Sequence, residues 1–273
     1  MSRLAARFAA LKAAQRSAFI PFITAGDPNS TITEALLRAL PAAGADIIEL
    51  GVPFSDPMAD GPAIQSSSLR ALDGGMTLAK TLDLVAGFRR QDAQTPLVLM
   101  GYYNPIHAYG VARFVDDAAA AGVDGLITVD LPPEEDEGLR MTASAQGIDV
   151  VRLATPTSNE NRLKTITADA SGFIYYVSVA GVTGTKEVAA ADVKAAIARV
   201  RKASQLPVAV GFGIKTAEQA ARIARLADAV VVGSAIVARI GAAHGEGRKD
   251  EELLAHALQF CRELADAVHG ARG

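Results

Sequence analysis

The sequence predicts an α/β fold, a closed (β/α)8 TIM barrel with an extra N-terminal helix, from three observations. Short apolar runs of strand length recur along the chain, Ala-rich segments of helical character separate them, and a Gly/Asp junction repeats where helix gives way to strand. AGAD precedes IIEL (Ala43 to Leu50), AGVD precedes GLIT (Ala121 to Thr128), QGID precedes VVRL (Gln146 to Leu153) and LAD precedes AVVVG (Leu226 to Gly233). Glycine after a helix suits the left-handed C′ position. An apolar run without alternation reads as a strand buried on both faces. Strands alternating with helices build right-handed βαβ units, and eight such units suggest a closed barrel. The architectural rival is an open doubly wound sheet.

The elements follow in order. Residues 1–20 are Ala/Arg-rich and lack acids, a composition shared with transit peptides. Leu4, Phe8 and Leu11 nevertheless recur at i, i+4 and i+7, and a strand begins at once, so an amphipathic helix is expected there. The first strand is AFIPFITAG (Ala18 to Gly26), with Pro21 inside it, where a central strand resists proline. IIEL, TPLVLMGYY (Thr95 to Tyr103), GLIT, VVRL, GFIYYVSVAG (Gly172 to Gly181), LPVAVGFG (Leu206 to Gly213) and AVVVG supply the other seven. Two of these enter through proline, which costs no ladder hydrogen bond at a strand start. Helices are expected over 30–43, 77–91, 110–121, 134–146, 159–169, 190–202, 216–225 and 250–268, and no low-complexity linker divides the chain, so residues 1–273 read as a single (β/α)8 barrel domain.

Composition excludes several classes of function. Half of the 273 residues are apolar and 21% are charged, as in ordinary globular proteins. The net charge of −3 and the lack of a basic cluster interleaved with aromatics argue against a nucleic-acid partner. Cys261 is the single cysteine, so no intrachain disulfide forms. No apolar run is long enough to span a bilayer. His107, His244, His256 and His269 lack metal-ligand spacing, and there is no cysteine cluster or Walker-type loop, so metal, nucleotide and thiol mechanisms find no support.

The chemistry concentrates in ELGVPFSDPMADG, Glu49 to Gly61. Active sites in such barrels gather at the C-terminal ends of the strands. Alternation puts Ile47 and Glu49 on one face, Ile48 and Leu50 on the other. The outer face packs on helices and suits the latter pair, so Glu49 points into the barrel near its rim. Desolvation there should raise its pKa, as a general acid/base near neutral pH requires. The alternative is an inward Glu neutralised by a cation, for which Arg152 is the obvious candidate. Asp56 and Asp60 sit in the following loop, and Asp-Pro or Asp-Gly turn chemistry accounts for either equally well. That loop is long enough to serve as a lid. Late in the chain, AGVTGT (Ala180 to Thr185), GFGI (Gly211 to Ile214) and VGSAIV (Val232 to Val237) follow strands six, seven and eight. Glycines let backbone amides approach an anion, and a helix start at Ser234 presents further N–H groups, so a substrate phosphate is expected. Phe22, Tyr102, Tyr175 and Phe212 fall near strand ends. Singly each suits core packing; together they wall a flat apolar substrate.

ELGVPFSDPMADG closely resembles the signature of the tryptophan synthase alpha subunit family, and AGVTG, GFGI and GSAIV follow in the family's order, from about Phe19 through the helix after Gly233. The resemblance implies cleavage of indole-3-glycerol phosphate to indole and glyceraldehyde 3-phosphate, a retro-aldol reaction. It implies that Glu49 is the acid/base and that Asp60, rather than Asp56, stabilises the protonated ring. Asp60, as a loop anion with polar neighbours, is expected to have a low pKa. By the same resemblance Thr183 hydrogen-bonds Asp60 when the loop closes, Gly184, Gly213, Gly233 and Ser234 cradle the phosphate, and Phe22, Tyr102, Tyr175 and Phe212 surround the substrate. Pro53, Asp56, Pro57 and Asn104 match an interface with a tryptophan synthase beta subunit in an α2β2 heterotetramer. Pyridoxal phosphate is expected in that partner and no cofactor in this chain, and the family implies a cytoplasmic location. One departure is Val179, where some members carry a basic residue. The rivals are a sugar-phosphate epimerase, an indole-glycerol-phosphate-forming synthase and a non-catalytic regulatory barrel. The first two need metal-binding or lysine side chains at strand ends, and these are missing. The Glu49/Asp60 pair argues against the third.

Overall fold

The computed structural model describes residues 2–178, 190–211 and 213–272. Its eight strands are β1 (Ala18–Thr24), β2 (Ile48–Gly51), β3 (Leu97–Gly101), β4 (Gly125–Thr128), β5 (Asp149–Ala154), β6 (Ile174–Val177), β7 (Val208–Gly211) and β8 (Ala229–Val232). All pair in parallel with their sequence neighbours, and β1 closes on β8 through Ala18↔Ala229 to Pro21↔Val232. This is the expected closed (β/α)8 barrel, and the open sheet is excluded.

The expected helices appear as α2 (Ser30–Ala39), α4 (Leu78–Arg89), α6 (Val111–Ala121), α7 (Glu137–Ala145), α8 (Glu160–Ala168), α9 (Ala190–Ala203), α10 (Ala217–Ala224) and α12 (Asp250–His269). Helix α2 ends short of residue 43, because Pro41 follows within two residues of its end. Two helices were not expected: α3 (Pro62–Asp73), with proline at its first position, and α5 (Tyr103–Tyr109). The helix expected to open at Ser234 runs as α11 to Gly245.

Pro21 is accommodated by parity. The N–H groups of Phe19 and Ala25 both turn toward the β2 side, to Asp46 Oδ2 and the Gly51 carbonyl. Pro21 shares that parity, and the β1–β2 ladder begins only beyond it, at Phe22↔Glu49.

The repeated junction aspartates have a structural task. Asp46, Asp124 and Asp228 accept the N–H of Phe19, Leu97 and Val208 at 2.9, 2.8 and 2.9 Å, each tying its strand start to the preceding strand. The junction glycines adopt positive φ, 96° at Gly44, 90° at Gly122 and 74° at Gly147, which L side chains rarely tolerate. Helix α1 (Arg3–Ala13) then closes the N-terminal end of the barrel. Ser2 Oγ donates to Asp149 at 2.7 Å, Arg3 pairs with Asp124 at 2.7 Å, and Arg7 lies 4.0 Å from Asp46. Leu4, Phe8 and Leu11 join the interior cluster of Ile20, Ile47, Val98, Ile127, Val151 and Val231. A separate outer cluster packs Ile48 and Leu50 against Leu36, Leu37, Val85 and Phe88 of the helices. The inward and outward parity of β2 is as read from the sequence. Among the described residues no helix is long and apolar enough to cross a membrane.

Candidate active site

Glu49 is held in β2 between Phe22 and Val98 of the flanking strands. It is 1% exposed, and its Oε2 has no hydrogen-bond partner among the described residues. Removal from water, with a smaller contribution from the nearby Asp60 charge, pushes its pKa up to about 8. Among the described residues no cation pairs with it. Arg152, on the opposite parity from inward Val151, donates to Asp136 Oδ2 at 2.9 and 2.6 Å and to carbonyls of α8. A buried carboxylate without a salt bridge is stable as the neutral acid.

Asp60 is brought toward Glu49, whereas Asp56 is exposed and receives the Ser55 hydroxyl at 2.5 Å. The loop is fixed from both sides. Ala59 N–H donates to Tyr102 Oη at 3.0 Å, and Gln65 of α3 donates to the Asp60 carbonyl at 2.8 Å. Tyr102 hydrogen-bonds the Asp60 carboxylate, which lowers its pKa, but desolvation outweighs that bond and the pKa rises to about 6. The expected low value is therefore overturned: the loop covers Asp60 more than loop position alone suggests. Asp60 remains the more acidic of the two, so near neutral pH the pair holds one proton, on Glu49.

A cleft of about 270 Å³, including its open mouth, reaches Asp60 and is lined by Phe22, Thr24, Gly51, Asp60, Ile64, Ser68, Met100 and Tyr102 among others. Phe22 packs over Gly51 and Gly233, where an added Cβ would lie 2.5 Å from Phe22 Cζ and 3.2 Å from its Cβ. Tyr175 is buried near Glu49, and burial and that carboxylate hold its pKa well above the usual value. Its hydroxyl rests on Gly211, leaving no room for a side chain there. Tyr102 stacks on Phe54 with ring centroids 5.3 Å apart. Helix α11 starts at Ser234 after Gly233, which has no side chain to cap it, so the N–H groups at its start are not satisfied by an N-cap side chain. Gly213 has φ 76°. Thr183, Gly184, Phe212 and Val179 lie outside the described residues. Of the interface candidates, Asp56 and Asn104 are exposed, Pro57 is half-buried and Pro53 is buried.

A family model for the tryptophan synthase alpha chain matches residues 8–269. The chain belongs to the tryptophan synthase alpha chain family. It is similar to the solved tryptophan synthase subunit alpha of Legionella pneumophila, at 39% identity over 98% of both chains with a TM-score of 0.91. It is similar also to a chain of Mycobacterium tuberculosis tryptophan synthase in its aminoacrylate-bound form, at 35% identity over 98% of this chain and 100% of that one, with a TM-score of 0.86. Membership of the tryptophan synthase alpha family makes the chain a lyase and implies cleavage of indole-3-glycerol phosphate in tryptophan biosynthesis.

Several cleft residues escaped the sequence reading. Met100 has the inward parity of Val98 and was detectable by counting. Ile64 and Ser68 belong to α3, whose Ser-rich sequence carries little apolar signal. Gly51 is needed only because Phe22 lies across it.

Proposed function

We propose that this chain cleaves indole-3-glycerol phosphate with Glu49 as acid/base and Asp60 as electrostatic partner. The observation that carries the reading is the pair of neighbouring carboxylates with pKa values of about 8 and about 6. At neutral pH Glu49 holds a proton and Asp60 is an anion. Glu49 gives its proton to the ring carbon that bears the glycerol phosphate chain. The ring nitrogen becomes positive, and Asp60 beside its N–H stabilises that charge. The Glu49 carboxylate then takes the proton from the side-chain hydroxyl. The new carbonyl forms as the carbon–carbon bond breaks, and its electrons restore the indole. The proton is back on Glu49 and the products are indole and glyceraldehyde 3-phosphate. Positioned acid/base catalysis contributes about 10²–10⁴-fold.

Phe22, Tyr102, Tyr175 and Phe212 wall the ring and its side chain. Gly184, Gly213, Gly233 and Ser234 hold the phosphate, Ser234 at the uncapped start of α11, where backbone amides favour an anion. Thr183 adds a hydrogen bond to Asp60 when the loop closes. The chain works as one barrel domain in the cytoplasm and needs no cofactor itself. It docks through Pro53, Asp56, Pro57 and Asn104 on a pyridoxal-phosphate beta subunit in an α2β2 heterotetramer, and the exposure of Asp56 and Asn104 supports that face. The test is incubation of the purified chain with indole-3-glycerol phosphate. Indole is expected at a slow rate that rises when a beta subunit is added. No indole under either condition refutes the reading.

A further inference from the structure

Helix α3, the loop after β1 and helix α11 meet on a single arginine. Helix α3 begins directly after the Asp60 loop, and α11 begins at Ser234. Arg70, in the last turn of α3, grips Asp27 of the loop after β1 with two parallel bonds, Nε to Oδ1 at 2.7 Å and Nη2 to Oδ2 at 3.0 Å. Asp27 is 2% exposed. The other face of the same guanidinium lies against Gly241 of α11, where an added Cβ would be 2.9 Å from Nη2 and 3.2 Å from Cζ. One turn earlier in α3, the buried Ser67 hydroxyl bonds Thr24 of β1 at 2.7 Å. Bidentate pairing fixes direction as well as distance, and an added Cβ at 241 would have to move the guanidinium that makes it.

We propose that Arg70 is a positioning residue that, through Asp27 and the bare backbone of Gly241, sets the spacing between the carboxylate end of the cleft at Asp60 and the anion end at Ser234. The inference rests on the reading above that one substrate spans both ends. A substrate joined at both ends gains from their correct separation, while each half binds without it.

The experiment compares Arg70→Lys and Gly241→Ala with the unaltered chain in three assays: kcat/KM for indole-3-glycerol phosphate, indole affinity and inorganic phosphate affinity. The whole substrate should lose about 10²-fold for a misplacement of about 1 Å, while both fragment affinities hold. Unchanged kcat/KM overturns the proposal, as does a parallel loss of fragment binding, which marks simple local collapse. The double variant Arg70→Ala with Asp27→Asn leaves no buried carboxylate unpaired. Recovered stability with turnover still depressed supports positioning, and recovery of both overturns it. If the unaltered chain yields no indole, the proposed reaction fails and the spacing is read directly from crystal structures. A relative shift of α3 and α11 in Arg70→Ala supports the role; superposition refutes it.

Discussion

Replacing Glu49 by Gln should sharply reduce turnover and yet make the protein relatively more stable as pH rises. In the folded chain the Glu49 pKa is about 8, against 4.5 in water, with desolvation as the main cause. The folded state therefore keeps a proton that the unfolded chain releases. Stability is full below about pH 4.5 and is lost progressively as pH rises through about 8. At 1.4 kcal/mol per pH unit the loss amounts to about 5 kcal/mol. Gln resembles the neutral acid and does not titrate, so this loss disappears in the variant. Its buried amide costs about 1–3 kcal/mol at every pH, which makes the slope with pH the informative quantity. Urea unfolding of both proteins at roughly pH 5 and pH 9 measures it. The stability of Glu49→Gln relative to the parent should climb by several kcal/mol across that interval, while indole formation falls by about 10²–10⁴-fold. A flat difference would show that Glu49 ionises as in water, and near-normal turnover would remove it from the chemistry.

Activity of the parent enzyme should follow a bell in pH. The acid limb rises near pH 6 as Asp60 ionises and the alkaline limb falls near pH 8 as Glu49 loses its proton; a kcat/KM profile with neither limb in that range contradicts the assignment. Tyr102→Phe removes the hydrogen bond that lowers the Asp60 pKa and the acceptor of Ala59 N–H. The acid limb should move to higher pH, and a stationary limb would mean that the bond has no bearing on Asp60. Phe8→Ala should cost about 3–5 kcal/mol in urea unfolding, because its ring is 6% exposed and packs 5.7 Å from Phe173 in the barrel interior. The kcat of this variant should be unchanged, since α1 closes the end of the barrel remote from Glu49.

Much of the site could be read from local pattern. Strand parity placed Glu49 in the interior, and the same counting correctly sent Ile48 and Leu50 to the helices. The alternative of a buried ion pair with Arg152 failed for a reason visible only in space: odd–even parity turns that arginine outward, where Asp136 and the carbonyl ends of α8 receive it. The pKa of Asp60 was misjudged because burial of a loop depends on what covers it. Tyr102, forty-two positions away, and the loop's own fold over the cleft supply that cover. Helix α3 went unread because serines occupy part of its buried face, where Ser67 bonds Thr24 rather than packing hydrocarbon.

The amino-acid order alone determined the strand–helix alternation, the glycine turns and the inward face of β2, because these depend on periodicity and local backbone preference, and its motifs carried the resemblance to the family. Tertiary structure decided the protonation of the two carboxylates, the partner of Arg152 and the contact of Arg70 with α11. Those properties depend on dielectric surroundings and on atoms distant in sequence, which come together only in the folded barrel.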